Sequence, residues 1–67
     1  MRIELNGRMV EVAAESTVAD AVTAAGAATG RGVAVAVEGE VVPRSEWETT
    51  ALAEGQRVEV LHAAQGG

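Results

Sequence analysis

The chain ends in Gly66-Gly67, and the carboxylate of Gly67 is a group that could do chemistry. A carboxylate is a poor acyl donor, but ATP converts it into an acyl-adenylate with a good leaving group. Glycines lack Cβ, so the backbone can pass through a narrow channel into a site from which water is excluded. The two glycines therefore predict either an activated C-terminal carboxylate or, alternatively, a frayed end without a function.

Few other residues could take part in catalysis or in binding a metal ion or phosphate. The sequence has no cysteine, which excludes disulfides and thiolate ligands. His62 is the single histidine, and one histidine without cysteine gives too few ligands for a metal site. A Ser-His-Asp triad would need Asp20, which the pattern places at the start of a helix. The glycines of residues 27–32 follow a predicted helix and lack the Lys of a phosphate loop. We therefore predict neither a catalytic triad nor a cofactor.

The charge argues against nucleic acid as a partner. The 67 residues form one domain with a formal net charge of −5, five scattered Arg and no Lys. Binding to a phosphate backbone needs clustered cations, and stacking on single strands needs aromatic residues, of which Trp47 is the single example. The acidic balance suits a partner with a basic docking surface, or it serves solubility alone.

The first ten residues have no long apolar segment and carry Glu4, so they do not resemble a signal peptide. No apolar run approaches the roughly 20 residues of a membrane span. The sequence predicts a cytoplasmic protein without a membrane partner.

The N-terminal half predicts a hairpin and then a helix. Residues 2–6 and 8–13 alternate as strands around Asn6-Gly7, a dipeptide typical of tight hairpin turns. Thr17 is a predicted N-cap, with Asp20 at the spacing of a capping box. One helical face then collects Val18, Ala21, Val22 and Ala25. The spacing predicts a helix of about ten residues that ends near Ala25, before Gly26.

The following segment predicts two short strands. Residues 33–37 are all apolar, which suits a strand covered on both faces or one that lies beside the helix. A turn is expected at Glu38-Gly39, and Pro43 should end the second strand. One helical turn is expected near residues 45–48. Trp47 either packs over the edge of the core or anchors a partner.

Residues 57–62 form the last predicted strand, after a turn at Glu54-Gly55. Val58 and Val60 should face inward, so Leu61 should face outward. Leu61 is then a candidate docking residue, and the alternative is a core residue in an uneven strand. The order of elements predicts an α+β domain over residues 1–62, a mixed sheet curled around one helix, with a flexible tail over residues 63–67.

Four stretches together resemble the ThiS family, the ubiquitin-like β-grasp sulfur carriers of thiamin biosynthesis. They are the opening RIELNG hairpin, the TVADAV helix start, the VAVEGEVVPRSEW segment, and the VEVLH strand that leads to the terminal Gly-Gly. The resemblance covers the whole chain. It implies a five-stranded sheet of order 2-1-5-3-4, with the first and last strands parallel in the middle.

The resemblance also implies a function. A ThiF-type adenylating enzyme would activate Gly67, a sulfur-donor protein would supply sulfur, and the resulting thiocarboxylate would serve thiazole synthase. The chain would be a shuttle and not an enzyme. Gly66 and Gln65 would take part in recognition of the tail, in which Ala63, Ala64 and Gln65 stand where many members have larger apolar residues.

Two alternatives remain open at this point. One is a related β-grasp carrier for molybdopterin, transfer-RNA thiolation or cysteine synthesis, or a protein modifier. The other is a β-grasp binding module whose tail is inert.

Overall fold

The computed structural model describes residues 1–27 and 31–62. Its strands form one mixed sheet in the order β2-β1-β5-β3-β4, which confirms the order that the resemblance implied. The elements, in chain order, are β1 (Arg2–Leu5), β2 (Arg8–Glu11), α1 (Val18–Ala24), β3 (Val33–Val37), β4 (Glu40–Val41), a 3₁₀ helix (Arg44–Glu46) and β5 (Arg57–His62).

The last strand, β5, lies in the centre of the sheet. It runs parallel to β1, with Leu5 in register with Val58. On its other side it runs antiparallel to β3, in a register that extends from Val37 opposite Val58 to Val33 opposite His62. The strand that leads to the C-terminus is therefore held by neighbours on both sides.

Both predicted hairpin turns are confirmed. Asn6 and Gly7 have φ angles of 51° and 83°, and Glu38 and Gly39 have φ angles of 52° and 84°. Positive φ at both central residues is the conformation that matches the twist of a two-residue hairpin. In each turn the first central residue is not glycine, so its side chain is placed where it can bind the neighbouring strand.

The helix is shorter than predicted. It has seven residues, Val18–Ala24, instead of about ten. The predicted N-cap is confirmed, because the backbone N–H of Thr17 donates to the carboxylate of Asp20 at 2.8 Å. At the other end Gly26 has a φ of 85°, a left-handed conformation that ends the helix.

The core lies between α1 and one face of the sheet. The side chains that are almost fully buried are Ile3, Val18, Val35 and Val58. Each such burial contributes about 1.5–3 kcal/mol relative to an exposed side chain. The apolar run of β3 is not covered on both faces, because Ala34 is exposed.

The segment after β4 follows the prediction with a small shift. The strand ends at Val41, and Pro43 directly precedes the 3₁₀ helix Arg44–Glu46, which begins one residue before the predicted helical turn. This segment brings Trp47 back against the core.

Candidate functional site

The structure does not describe the tail residues that the sequence predicts to be modified or recognised, which are Gln65, Gly66 and Gly67. The structure does describe β5, which leads to them and ends at His62. The described part of the candidate site consists of β5 and the residues that hold it.

The burial of β5 alternates strictly along its first four residues. Val58 is completely buried and Val60 is 3% exposed, whereas Arg57 and Glu59 are exposed. This confirms the predicted orientation of the strand. The inward residues tie β5 to the core, so the outward residues form a rigid surface in the middle of the sheet.

Leu61 is exposed on the side of the sheet that faces away from the helix. Its exposed fraction is 63%, and it lies in register with Ala34 of β3. The small side chain of Ala34 leaves the surface open around the leucine. The interpretation of Leu61 as a core residue is therefore wrong, while its role in docking stays a prediction.

We call the surface around Leu61 the outer face. It consists of the sheet residues that point away from α1, with exposed apolar side chains at both sides of the central strands. These residues are Arg2, Glu4, Met9, Glu11, Ala34, Ala36, Val41, Arg57, Glu59 and Leu61.

The charges on the outer face are three glutamates and two arginines. Arg57 Nε lies 3.6 Å from Glu4 Oε2, and both side chains are well exposed to solvent, so this ion pair adds little to stability. Glu59 lies between Arg57 and Leu61 in the sequence of the same strand. The outer face is thus a partly apolar surface with a small excess of negative charge.

Asn6 is a residue whose contact the sequence reasoning missed. Its Nδ2 donates to the backbone O of Val60 at 3.2 Å, and the N–H of Val60 donates to Asn6 Oδ1 at 2.8 Å. The sequence indicated only the turn at Asn6-Gly7. A signal existed in the parallel pairing of β1 and β5, which places the residue after β1 beside the second half of β5.

Glu38 makes a comparable contact at the start of β5. Its backbone N–H donates to the O of Arg57 at 2.9 Å, and the N–H of Arg57 donates to Glu38 Oε2 at 2.7 Å. The first residue of each hairpin turn therefore binds the backbone of β5, Glu38 near its beginning and Asn6 nearer its end.

Trp47 packs into the core. It is 6% exposed, and its Nε1–H donates to the backbone O of Val42 at 2.9 Å. A partner could reach little of this side chain without opening the domain. Burial therefore confirms the packing role and makes the alternative of a partner anchor wrong.

His62 is exposed at the end of β5, in register with Val33. Within residues 1–27 and 31–62, no group of three or more His, Asp and Glu side chains is placed to hold a metal ion. No helix in this part of the chain is long and apolar enough to cross a membrane.

Comparison with known proteins agrees with the sheet order. The model of the ThiS family matches residues 3–67. A crystal structure of the thiamine biosynthesis protein ThiS from Geobacter metallireducens has a TM-score of 0.81 and 30% sequence identity, and the match covers 100% of both chains.

A solution NMR structure of a thiamine biosynthesis protein from the same organism also has a TM-score of 0.81 and 30% identity. That match covers 100% of this chain and 88% of the other. The comparison with curated proteins found no match.

A five-stranded sheet of order 2-1-5-3-4 packed on one helix, shared with these structures, defines a ubiquitin-like β-grasp protein. The chain belongs to the ThiS family. Members of this family are small sulfur carrier proteins and not enzymes, so the outer face and the end of β5 belong to a carrier.

Proposed function

We propose that this chain carries sulfur as a thiocarboxylate on Gly67 and donates it for thiazole formation in thiamine biosynthesis. The observation that carries this proposal is the extent of the family match, which runs to residue 67 and so includes both terminal glycines. The two ThiS-like structures, both of thiamine biosynthesis proteins, favour the thiamine branch over other β-grasp carriers.

The proposed chemistry begins at the carboxylate of Gly67. Its oxygen attacks the α-phosphorus of ATP, pyrophosphate leaves, and an acyl-adenylate forms. The terminal sulfur of a persulfide on a sulfur-donor protein then attacks the acyl carbon, and AMP leaves. A thiol cleaves the resulting acyl disulfide, which releases the thiocarboxylate and a disulfide.

Donation regenerates the carrier. The sulfur of the thiocarboxylate passes to the thiazole precursor on thiazole synthase, and an oxygen atom from the precursor or from water returns to the carbonyl of Gly67. The carrier itself supplies neither a catalytic side chain nor a cofactor in this scheme. Its contribution is to deliver one carboxylate to successive partners, which we place in the cytoplasm.

The fold supports delivery because β5 is held in the centre of the sheet. His62, its last residue, stands five positions before Gly67. An extended segment of that length reaches roughly 17 Å, at about 3.4 Å per residue, which suits an active site set back from the docking surface. In this scheme Gly66 and Gln65 are recognised in the channel that leads to that active site.

We assign docking of the ThiF-type adenylating enzyme to the outer face. Leu61 is its exposed apolar residue nearest to the tail. Ordering a tail in an enzyme channel costs conformational entropy, so a separate surface must supply binding free energy. The net charge of −5 favours a partner with a basic surface, because complementary potentials steer association.

Deletion of Gly66 and Gly67 tests the proposal. The shortened chain should unfold at the same denaturant concentration as the full chain, since a glycine has no side chain to contribute to a hydrophobic core. It should support no ATP–pyrophosphate exchange by a ThiF-type enzyme, while the full chain does. Exchange that persists without the two glycines would contradict activation at Gly67.

A further inference from the structure

The pairing of β5 with β1 stops before β5 ends. The last residues in parallel register are Leu5 and Val58, and after Leu5 the end of β1 turns away from β5 at Asn6-Gly7. Alternate residues of a strand direct their N–H and C=O groups to opposite neighbours, so Val60 directs both groups to the side that β1 has left. Without a replacement, this edge of β5 would be open just before the tail.

The Asn6 side chain provides the replacement. The backbone N–H of Asn6 donates to the O of Val58 at 2.9 Å, which continues the ladder by one bond. The side-chain amide of Asn6 then accepts from the N–H of Val60 at 2.8 Å and donates to the O of Val60 at 3.2 Å. A carboxamide presents one acceptor and one donor side by side, as a strand backbone does.

The geometry points to Asn6 as a positioning residue for sulfur loading. By holding both backbone groups of Val60, it sets the direction in which Leu61 and His62 leave the core, and hence the direction in which the C-terminal carboxylate reaches the adenylating enzyme. This inference rests on the proposed function and adds a residue that acts without touching ATP, sulfur or the enzyme channel.

Glu38 provides a matched comparison. Like Asn6 it is the non-glycine residue of a two-residue turn with positive φ, and like Asn6 its side chain binds the backbone of β5. It binds Arg57, at the end of the strand remote from the tail. A role in general sheet stability predicts equal effects of removing either side chain, whereas a positioning role predicts an effect at Asn6 alone.

The test uses the full chain with Asn6→Gly and Glu38→Gly. Glycine adopts positive φ without strain, so each turn is retained and only the side-chain contacts are lost. For Asn6→Gly we expect kcat for adenylation of the carrier by a ThiF-type enzyme to fall about tenfold, with KM within about twofold of the wild type. For Glu38→Gly we expect both constants within about twofold, as a change remote from the tail.

Asn6→Asp extends the test without changing the shape of the side chain. A carboxylate keeps the acceptor for the N–H of Val60 but places a second acceptor against its carbonyl. We expect a fall in kcat similar to that of Asn6→Gly. Wild-type kcat in Asn6→Asp and Asn6→Gly would overturn the positioning role, and so would an equal fall in Asn6→Gly and Glu38→Gly.

Amide hydrogen exchange provides a readout that does not depend on activity. In Asn6→Gly the Val60 amide should exchange faster than in the wild type while amides of α1 keep their protection, and in Glu38→Gly the Arg57 amide should change instead. Unchanged Val60 exchange would overturn the inference alone. Failure of the wild-type chain to be adenylated would overturn the proposed function, and the role of Asn6 in loading with it.

Discussion

The indole Nε1–H of Trp47 donates a 2.9 Å hydrogen bond to the backbone carbonyl of Val42, directly before Pro43. This bond joins the residue after β4 to the end of the 3₁₀ segment. The guanidinium carbon of Arg44 lies 5.9 Å from the centre of the Trp47 ring, on the outside of the same segment. The tryptophan therefore closes one end of the core.

Trp47→Phe should weaken the fold without changing partner recognition. The smaller ring leaves the carbonyl of Val42 without its donor, and we expect a loss of about 1–3 kcal/mol in the free energy of unfolding. Urea denaturation measures the loss. An unchanged stability together with a raised KM for the adenylating enzyme would contradict the assignment of Trp47 to the core.

Leu61→Ala should weaken recognition of the adenylating enzyme without weakening the fold. Since Leu61 is 63% exposed, its truncation should change stability by less than about 0.5 kcal/mol. As a central docking residue it should raise KM for the adenylating enzyme about five- to tenfold, which corresponds to a loss of about 1–1.4 kcal/mol of binding free energy. Steady-state kinetics of ATP–pyrophosphate exchange measures KM.

Thr23→Ala is the control for Leu61→Ala. Thr23 is exposed on α1, on the opposite side of the sheet from the outer face. Its truncation should leave KM unchanged. Equal KM values for Leu61→Ala and the wild type would place docking elsewhere on the domain.

Glu59→Lys should slow association with the adenylating enzyme. Glu59 is exposed beside Leu61, and a lysine there opposes a basic partner surface. Glu15→Lys changes the net charge by the same amount at the loop before α1, so it separates local from overall charge. We expect a lower association rate and a weaker salt dependence for Glu59→Lys than for Glu15→Lys. Equal rates for the two variants would contradict docking at the outer face.

Asp20→Ala should lower the stability of the domain by about 1 kcal/mol. The carboxylate of Asp20 accepts from the N–H of Thr17 at 2.8 Å, and its loss leaves a helix N-terminal donor without that partner. Thermal unfolding measures the change. Glu48→Ala removes an exposed acidic residue outside the helix and should not lower the melting temperature by a comparable amount.

Local patterns predicted most of the elements. The alternation of residues 57–60 identified the buried side chains of β5, and Asn6-Gly7 identified a turn that only positive φ can close. The end of the helix was predicted to within one residue, near Ala25 and before Gly26, but its length was overestimated, because only the seven residues Val18–Ala24 lie between the N-cap Thr17 and the C-cap Ala25. The exposure of Ala34 was not visible in an apolar run, since it depends on which face α1 covers.

The long-range pairing needed more than local patterns. The parallel pairing of β1 with β5 joins residues more than fifty positions apart, and no turn signal reports it. It was implied by the resemblance to the ThiS family alone. The contact of Asn6 with Val60 depends on that pairing. The sequence therefore indicated a turn at Asn6 but not the hydrogen bonds of its side chain to the central strand.

The central claim is that Gly67 carries sulfur, and intact mass spectrometry tests it most directly. The full chain is incubated with ATP, a ThiF-type enzyme and a persulfide donor with a thiol. If Gly67 carries sulfur, we expect a species heavier by the difference between one sulfur and one oxygen atom, which a thiol-alkylating reagent converts into an adduct at Gly67. A mass that stays unmodified, with the same enzyme active on another carrier, would contradict it and leave a β-grasp domain with an inert tail.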